Sequence, residues 1–211
     1  MEIRFAPRKI RVSKNYLWHS KDCEFENLTT HARRLDSDYS AKVDVYEDRV
    51  RTWFLDWAAN LVHSDRVDDG VSPGDYVALS VALAYIEGVE QYRRGEEPNP
   101  NRKGEAGNWF RASARRIFPA ASKKAIDMLW KSTRCGLFHC GFTKDRVYVS
   151  HSLYSQALEF TGDGELHIDP ARFVQLVLED FDAYVHELRA NHSGKFAKQF
   201  RKLWDKRFQN S

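Results

Sequence analysis

The chain has only three cysteines, eleven glycines and six prolines in 211 residues. An odd set of cysteines (Cys23, Cys135, Cys140) behind an opening, MEIRFAPRKI, that lacks an apolar export core predicts reduced thiols and a cytoplasmic home. Scarce glycine and proline argue against a sandwich or barrel with many tight turns. Nowhere do 18 apolar residues run together, so neither a transmembrane helix nor a membrane partner is expected. A dominant charge is missing too. Lys and Arg number 33 against 30 Asp and Glu, a formal +3 that does not by itself imply a nucleic-acid partner. There is no phosphate-binding glycine loop and no Gly-x-Ser-x-Gly elbow, which removes nucleotide kinases and serine hydrolases.

Aromatic residues, by contrast, are abundant: 13 Phe, 9 Tyr and 6 Trp, enough to fold around a sizeable core. The length fits one large domain, or one domain with appendages. Residues 1–40 show no clean period and read as an irregular N-terminal segment. From Val43 through Tyr46, Val50, Trp53, Phe54, Trp57 and Leu61, apolar residues recur at helical steps. A turn is expected over Asp65–Gly74. Ser72, Pro73 and Asp75 then supply an N-cap, a first-turn proline and a first-turn acid for a helix running to about Arg94, where Gly95 stops it. This helix is apolar nearly all round from Tyr76 to Val89, which predicts central burial. Glu87 is the one charge in that stretch.

A polar loop over 96–108 leads to a short basic helix, Asn108–Phe118, and Ser122 caps the next, which ends at Gly141. Residues 145–150 alternate as a strand, and 157–168 read as a hairpin around Gly162-Asp163-Gly164. Asp169-Pro170 opens another long helix, and 193–211 forms a basic amphipathic one. The expected fold is mainly α, an antiparallel helical bundle over 41–192 with a small β-hairpin insertion at 145–168.

The basic residues are clustered rather than spread. Arg4, Arg8, Lys9, Arg11 and Lys14 gather at the N-terminus, and Lys195, Lys198, Arg201, Lys202, Lys206 and Arg207 at the C-terminus. Arg111, Arg115, Arg116, Lys123 and Lys124 sit in a stretch with no acid from 106 to 126. That middle cluster is the candidate RNA-backbone contact. The aromatic stripe of the last helix reads first as core packing.

Reactive groups concentrate in the run Arg134, Cys135, Gly136, Leu137, Phe138, His139. A histidine can take the proton of a ribose 2′-hydroxyl or return one to a leaving oxygen. An arginine presents a permanent fork of donors to two phosphate oxygens as charge builds. That division of labour calls for no metal and no cofactor, and none is expected. Arg146 and His151 repeat the spacing, but on a strand pattern that sends the two side chains to opposite faces. A zinc reading of Cys135, His139 and Cys140, with Cys23 or His151 as fourth ligand, lacks a second knuckle. Five helical steps rotate by about 140°, so Arg134 and His139 do not stack on one ideal face. They can converge only through a helix end or a second copy.

This run, late on a helix after an apolar stripe, resembles the R-x4-6-H motif of the HEPN superfamily, helical domains many of which are metal-independent endoribonucleases in toxin, antiviral and RNA-processing systems. The resemblance implies that Arg134 and His139 are the catalytic pair, with an acid from an earlier helix, Glu87, pairing Arg134 or orienting His139. It further implies a homodimer with a composite cleft, RNA as substrate, a 2′,3′-cyclic phosphate product, and an antitoxin or defence-complex partner. The chain departs from the family at Cys135, where a polar residue is usual, and at Gly141, where one subgroup has Tyr. The alternative is a non-catalytic module of the same kind that binds RNA, nucleotide or a partner protein.

Overall fold

The structure is a computed structural model that describes residues 9–64, 71–151 and 155–209. Arg4, Arg8 and most of the turn expected at 65–74 lie outside these.

The first forty residues are not irregular. β1 (Lys9–Arg11), β2 (Tyr16–His19), β3 (Glu24–Asn27) and β4 (Arg33–Leu35) form an antiparallel meander in that order. Its strands are three or four residues long, too short for alternation to stand out, and Tyr16-Leu17-Trp18 is apolar at both parities. Two of its turns place non-glycine residues at positive φ, Cys23 (53°) and His31 (57°). These tight turns are thus made without glycine. Asn27 helps hold the second of them, its Oδ1 accepting from the amides of Thr29 and Thr30 at 2.9 Å each.

The second sheet is also more than a hairpin. β6 (Leu158–Phe160) and β7 (Leu166–Ile168) are the expected antiparallel pair, but β5 (Val147–Val149) joins β7 in parallel, giving the order β5-β7-β6. The fold is therefore mixed α/β with two sheets, which overturns the expectation of a mainly helical bundle with one hairpin.

The helices follow the sequence closely. α1 (Tyr39–Val50) passes through a π-helical turn (Arg51–Leu55) into α2 (Asp56–Ser64). α3 (Pro73–Arg94) opens on a capping box between Ser72 and Asp75 and closes on Gly95 at φ +68°. That conformation suits glycine, and a Cβ there would also lie 2.8 Å from the Gln199 carbonyl oxygen. α4 (Glu105–Ile117) precedes α5 (Lys123–Met128), a second π-helical turn (Leu129–Arg134) and α6 (Cys135–Cys140), which run on as one helix ending at Gly141. α7 (Pro170–Ala190) and α8 (Lys195–Gln209) complete the chain.

An aromatic core joins these parts. Phe25 of the meander meets Trp204 and Phe208 of α8, and Tyr46 of α1 meets Phe181, Phe200 and Trp204. The α8 stripe is thus internal, with Phe200, Leu203 and Trp204 buried. α3 is not buried all round. Ala78, Leu79, Ala82, Leu83 and Ile86 face the core, while Val77, 53% exposed, and Ala84 leave one side uncovered. No helix among the described residues is long and apolar enough to cross a membrane.

Candidate active site

Arg134 is the last residue of the second π-helical turn, and Glu87 lies near the C-terminal end of α3. The Arg134 Nε–H and an Nη2–H both donate to Glu87 Oε2, at 3.0 and 2.7 Å. Glu87 thus has the partner a carboxylate needs on an apolar helix. The guanidinium also lies between two rings of its own helix, 5.1 Å from Trp130 and 4.7 Å from Phe138. Salt bridge and rings together fix the plane of the fork. A guanidinium has five N–H donors. Two go to Glu87, which leaves three to address a ligand.

His139 stands five residues on, in the last turn of α6, exposed and with no hydrogen bond or ion pair among the described residues. No hydrogen bond joins it to Arg134, in keeping with the rotation expected between them. Phe138 and Phe142, 46% and 63% exposed, flank the imidazole in sequence.

Gly136, inside the motif, has a packing role that the sequence reading missed. A Cβ there would sit 2.6 Å from the Phe142 carbonyl oxygen and 3.0 Å from the Lys144 amide nitrogen. The chain after Gly141 therefore folds back against the helix at this point. Lys144 N–H donates to the Ser132 carbonyl at 2.9 Å, and Ser132 Oγ–H to Asp145 Oδ2 at 2.6 Å. The return loop brings Lys144 back beside the motif helix. Lys144 and Lys131 are exposed, with no carboxylate partner among the described residues. The only sign of either in the sequence is closeness to the motif.

The middle basic cluster divides. Arg111 Nε–H donates to Asp127 Oδ1 at 2.6 Å, so the first acid beyond the acid-free stretch neutralises it. Arg116 is held by Asp180 of α7 and by Ser113 Oγ at 2.9 Å. Arg115, Lys123 and Lys124 are exposed without a carboxylate partner among the described residues. Lys124 lies 5.8 Å from the Phe160 ring. Lys123 and Lys124 begin the same continuous helix whose last turn carries His139, about 23 Å along its axis at the usual helical rise.

Among the described residues, no three His, Cys, Asp or Glu side chains gather as a metal-binding group. No protein-family model, curated protein or solved structure matches the chain.

Proposed function

We propose that the chain is an endoribonuclease of the Arg–His type, acting as a homodimer on RNA without a metal. The Glu87–Arg134 pair carries this reading, because it orients a guanidinium whose remaining donors can address a phosphate, on the same short helix end that exposes His139. In this chemistry His139 takes the proton of the 2′-hydroxyl, the freed oxygen attacks the adjacent phosphorus, and the 5′-oxygen leaves with a proton returned to it. The products are a 2′,3′-cyclic phosphate and a 5′-hydroxyl end. Arg134 offsets the charge that grows on the non-bridging oxygens.

A second copy resolves the divergence of the two side chains. Val77 and Ala84 mark an uncovered stripe on α3, and Glu87 and Gly88 lie three and four residues beyond Ala84 on that same face. A helix apolar nearly all round calls for a cover on this side, and the cover adjoins Arg134. In the proposed dimer a second chain seats here, and His139 of one copy serves the phosphate held by Arg134 of the other. Arg115, Lys123, Lys124, Lys131 and Lys144 supply cations for the strand on either side of the site.

The test is incubation of the purified protein with single-stranded RNA in EDTA, with the ends identified chemically. Cleavage leaving cyclic phosphate ends, abolished in His139→Ala, is expected. Intact RNA with the wild-type protein, or equal cleavage by His139→Ala, would overturn the proposal.

A further inference from the structure

A second site is suggested on another part of the molecule, where β1, β2, α1, α3 and α8 enclose a cavity of about 630 Å³. That volume lies within the range of small-molecule sites. Its apolar wall is aromatic. Trp204 and Phe208 of α8 stack at 4.6 Å and 16°, Trp18 of β2 meets Phe208 edge-on at 5.8 Å, and Tyr46 and Tyr92 lie 4.8 Å apart. Phe54, 46% exposed, stands at the mouth.

The charges lining this cavity are all of one sign. Arg11, Arg49 and Arg207 contribute to it, and no Asp or Glu does among the described residues. Arg207 is held over the Tyr92 ring at 5.0 Å, and its Nε–H donates to Glu97 at 3.2 Å. Arg11 donates to two neutral carbonyls, from Nε–H to Ser13 at 3.3 Å and from Nη2–H to Lys14. Arg49 is exposed and lies 5.5 Å from the Trp53 ring. Asp48, its neighbour in sequence, instead accepts from the Asn15 amide and side chain at 2.8 and 2.7 Å.

Local structure places these groups. Trp204, Arg207 and Phe208 follow helical spacing on α8, and Tyr46, Arg49 and Val50 do so on α1. The π-helical turn after Val50 adds a residue per turn and brings Phe54 to the same lining. Trp204 and Tyr46 are buried, but Phe54, Trp18 and Phe208 keep ring surface open, and such rings beside guanidinium forks that match phosphate oxygens suit one class of ligand. A peptide carboxylate would use the arginines but not the stacked wall, and a fatty chain would use the wall but not the arginines.

We infer that this cavity binds a nucleoside phosphate, its base against the partly exposed rings of Phe54, Trp18 and Phe208 and its phosphates toward Arg49 and Arg11. The site is separate from Arg134 and His139 and does not depend on the nuclease proposal. The ligand chemistry has two sources, a free nucleotide or the end of an RNA strand.

Calorimetric titration of the full-length protein with ADP, and separately with a 5′-phosphorylated single-stranded oligoribonucleotide, distinguishes them. The His139→Ala protein serves as host so that no probe is consumed. Saturable binding is expected, weakened at least tenfold by Arg49→Glu and by Arg11→Glu, both at exposed positions. Binding of ADP identifies a free nucleotide; binding of the oligonucleotide alone identifies a strand end. Absence of saturable heat with both probes, or binding unchanged in both variants, would overturn the inference. Neither outcome bears on cleavage, so the two proposals fail separately.

Discussion

Glu87 Oε2 accepts from both Nε and Nη2 of Arg134, while Glu87 Oε1 makes no hydrogen bond among the described residues. One oxygen anchors the arginine and the other is open to a further donor. Hydrogen bonds to a charged group contribute about 1.5–3 kcal/mol. Glu87→Ala should therefore lower the cleavage rate about tenfold to a hundredfold on the same principle. Glu87→Gln, which keeps one acceptor oxygen, should fall between it and the wild type. Single-turnover rates with urea unfolding of each variant separate lost orientation from lost stability.

Gly136→Ala tests the return loop. The added methyl meets a backbone oxygen, so the loop must move, and overpacking of this kind costs about 1–3 kcal/mol. The urea midpoint should drop, and the Lys144 amide, bonded to the Ser132 carbonyl, should exchange faster with deuterium than in the wild type.

Ala84→Arg tests the uncovered face of α3. Being exposed, the position should change monomer stability by no more than about 0.5 kcal/mol. On the proposed homodimer, sedimentation should report a dimer for the wild type and a monomer for this variant, and cleavage should fall more than tenfold. A dimer of wild-type affinity in this variant would move the interface elsewhere.

Acid sensitivity has an identifiable contributor. Lys206, and then Arg207, donate to Glu97 and hold its carboxyl below the usual glutamate range. A depressed carboxyl stabilises the fold fully above its unfolded value, about 4.3, and that stabilisation is lost as pH falls through the lower folded value. Glu97→Gln should flatten the decline of stability between about pH 5 and 3, as followed by urea unfolding at each pH.

The helices could be read from local chemistry. Ser72, Pro73, Asp75 and Gly95 bound α3 as their capping roles require, and Gly141 ends α6 at φ +75°. The pairing of Glu87 was also legible, because a lone acid on an apolar helix needs a partner. The meander was not, since its short strands are specified by pairing between them. The neutralisation of Arg111 and Arg116 depends on Asp127 and Asp180, which only the tertiary fold brings near. Both π-helical turns were invisible as well, because a one-residue change of phase leaves the apolar spacing nearly intact.

The continuous helix from Lys123 to Cys140 has a consequence for the proposed RNA cleavage. With cations at its start and the imidazole at its finish, it would work in that proposal as a rigid ruler laid beside the strand. Oligomers too short to bridge the two ends would be gripped at one of them only, and affinity should step upward once a substrate reaches the full span.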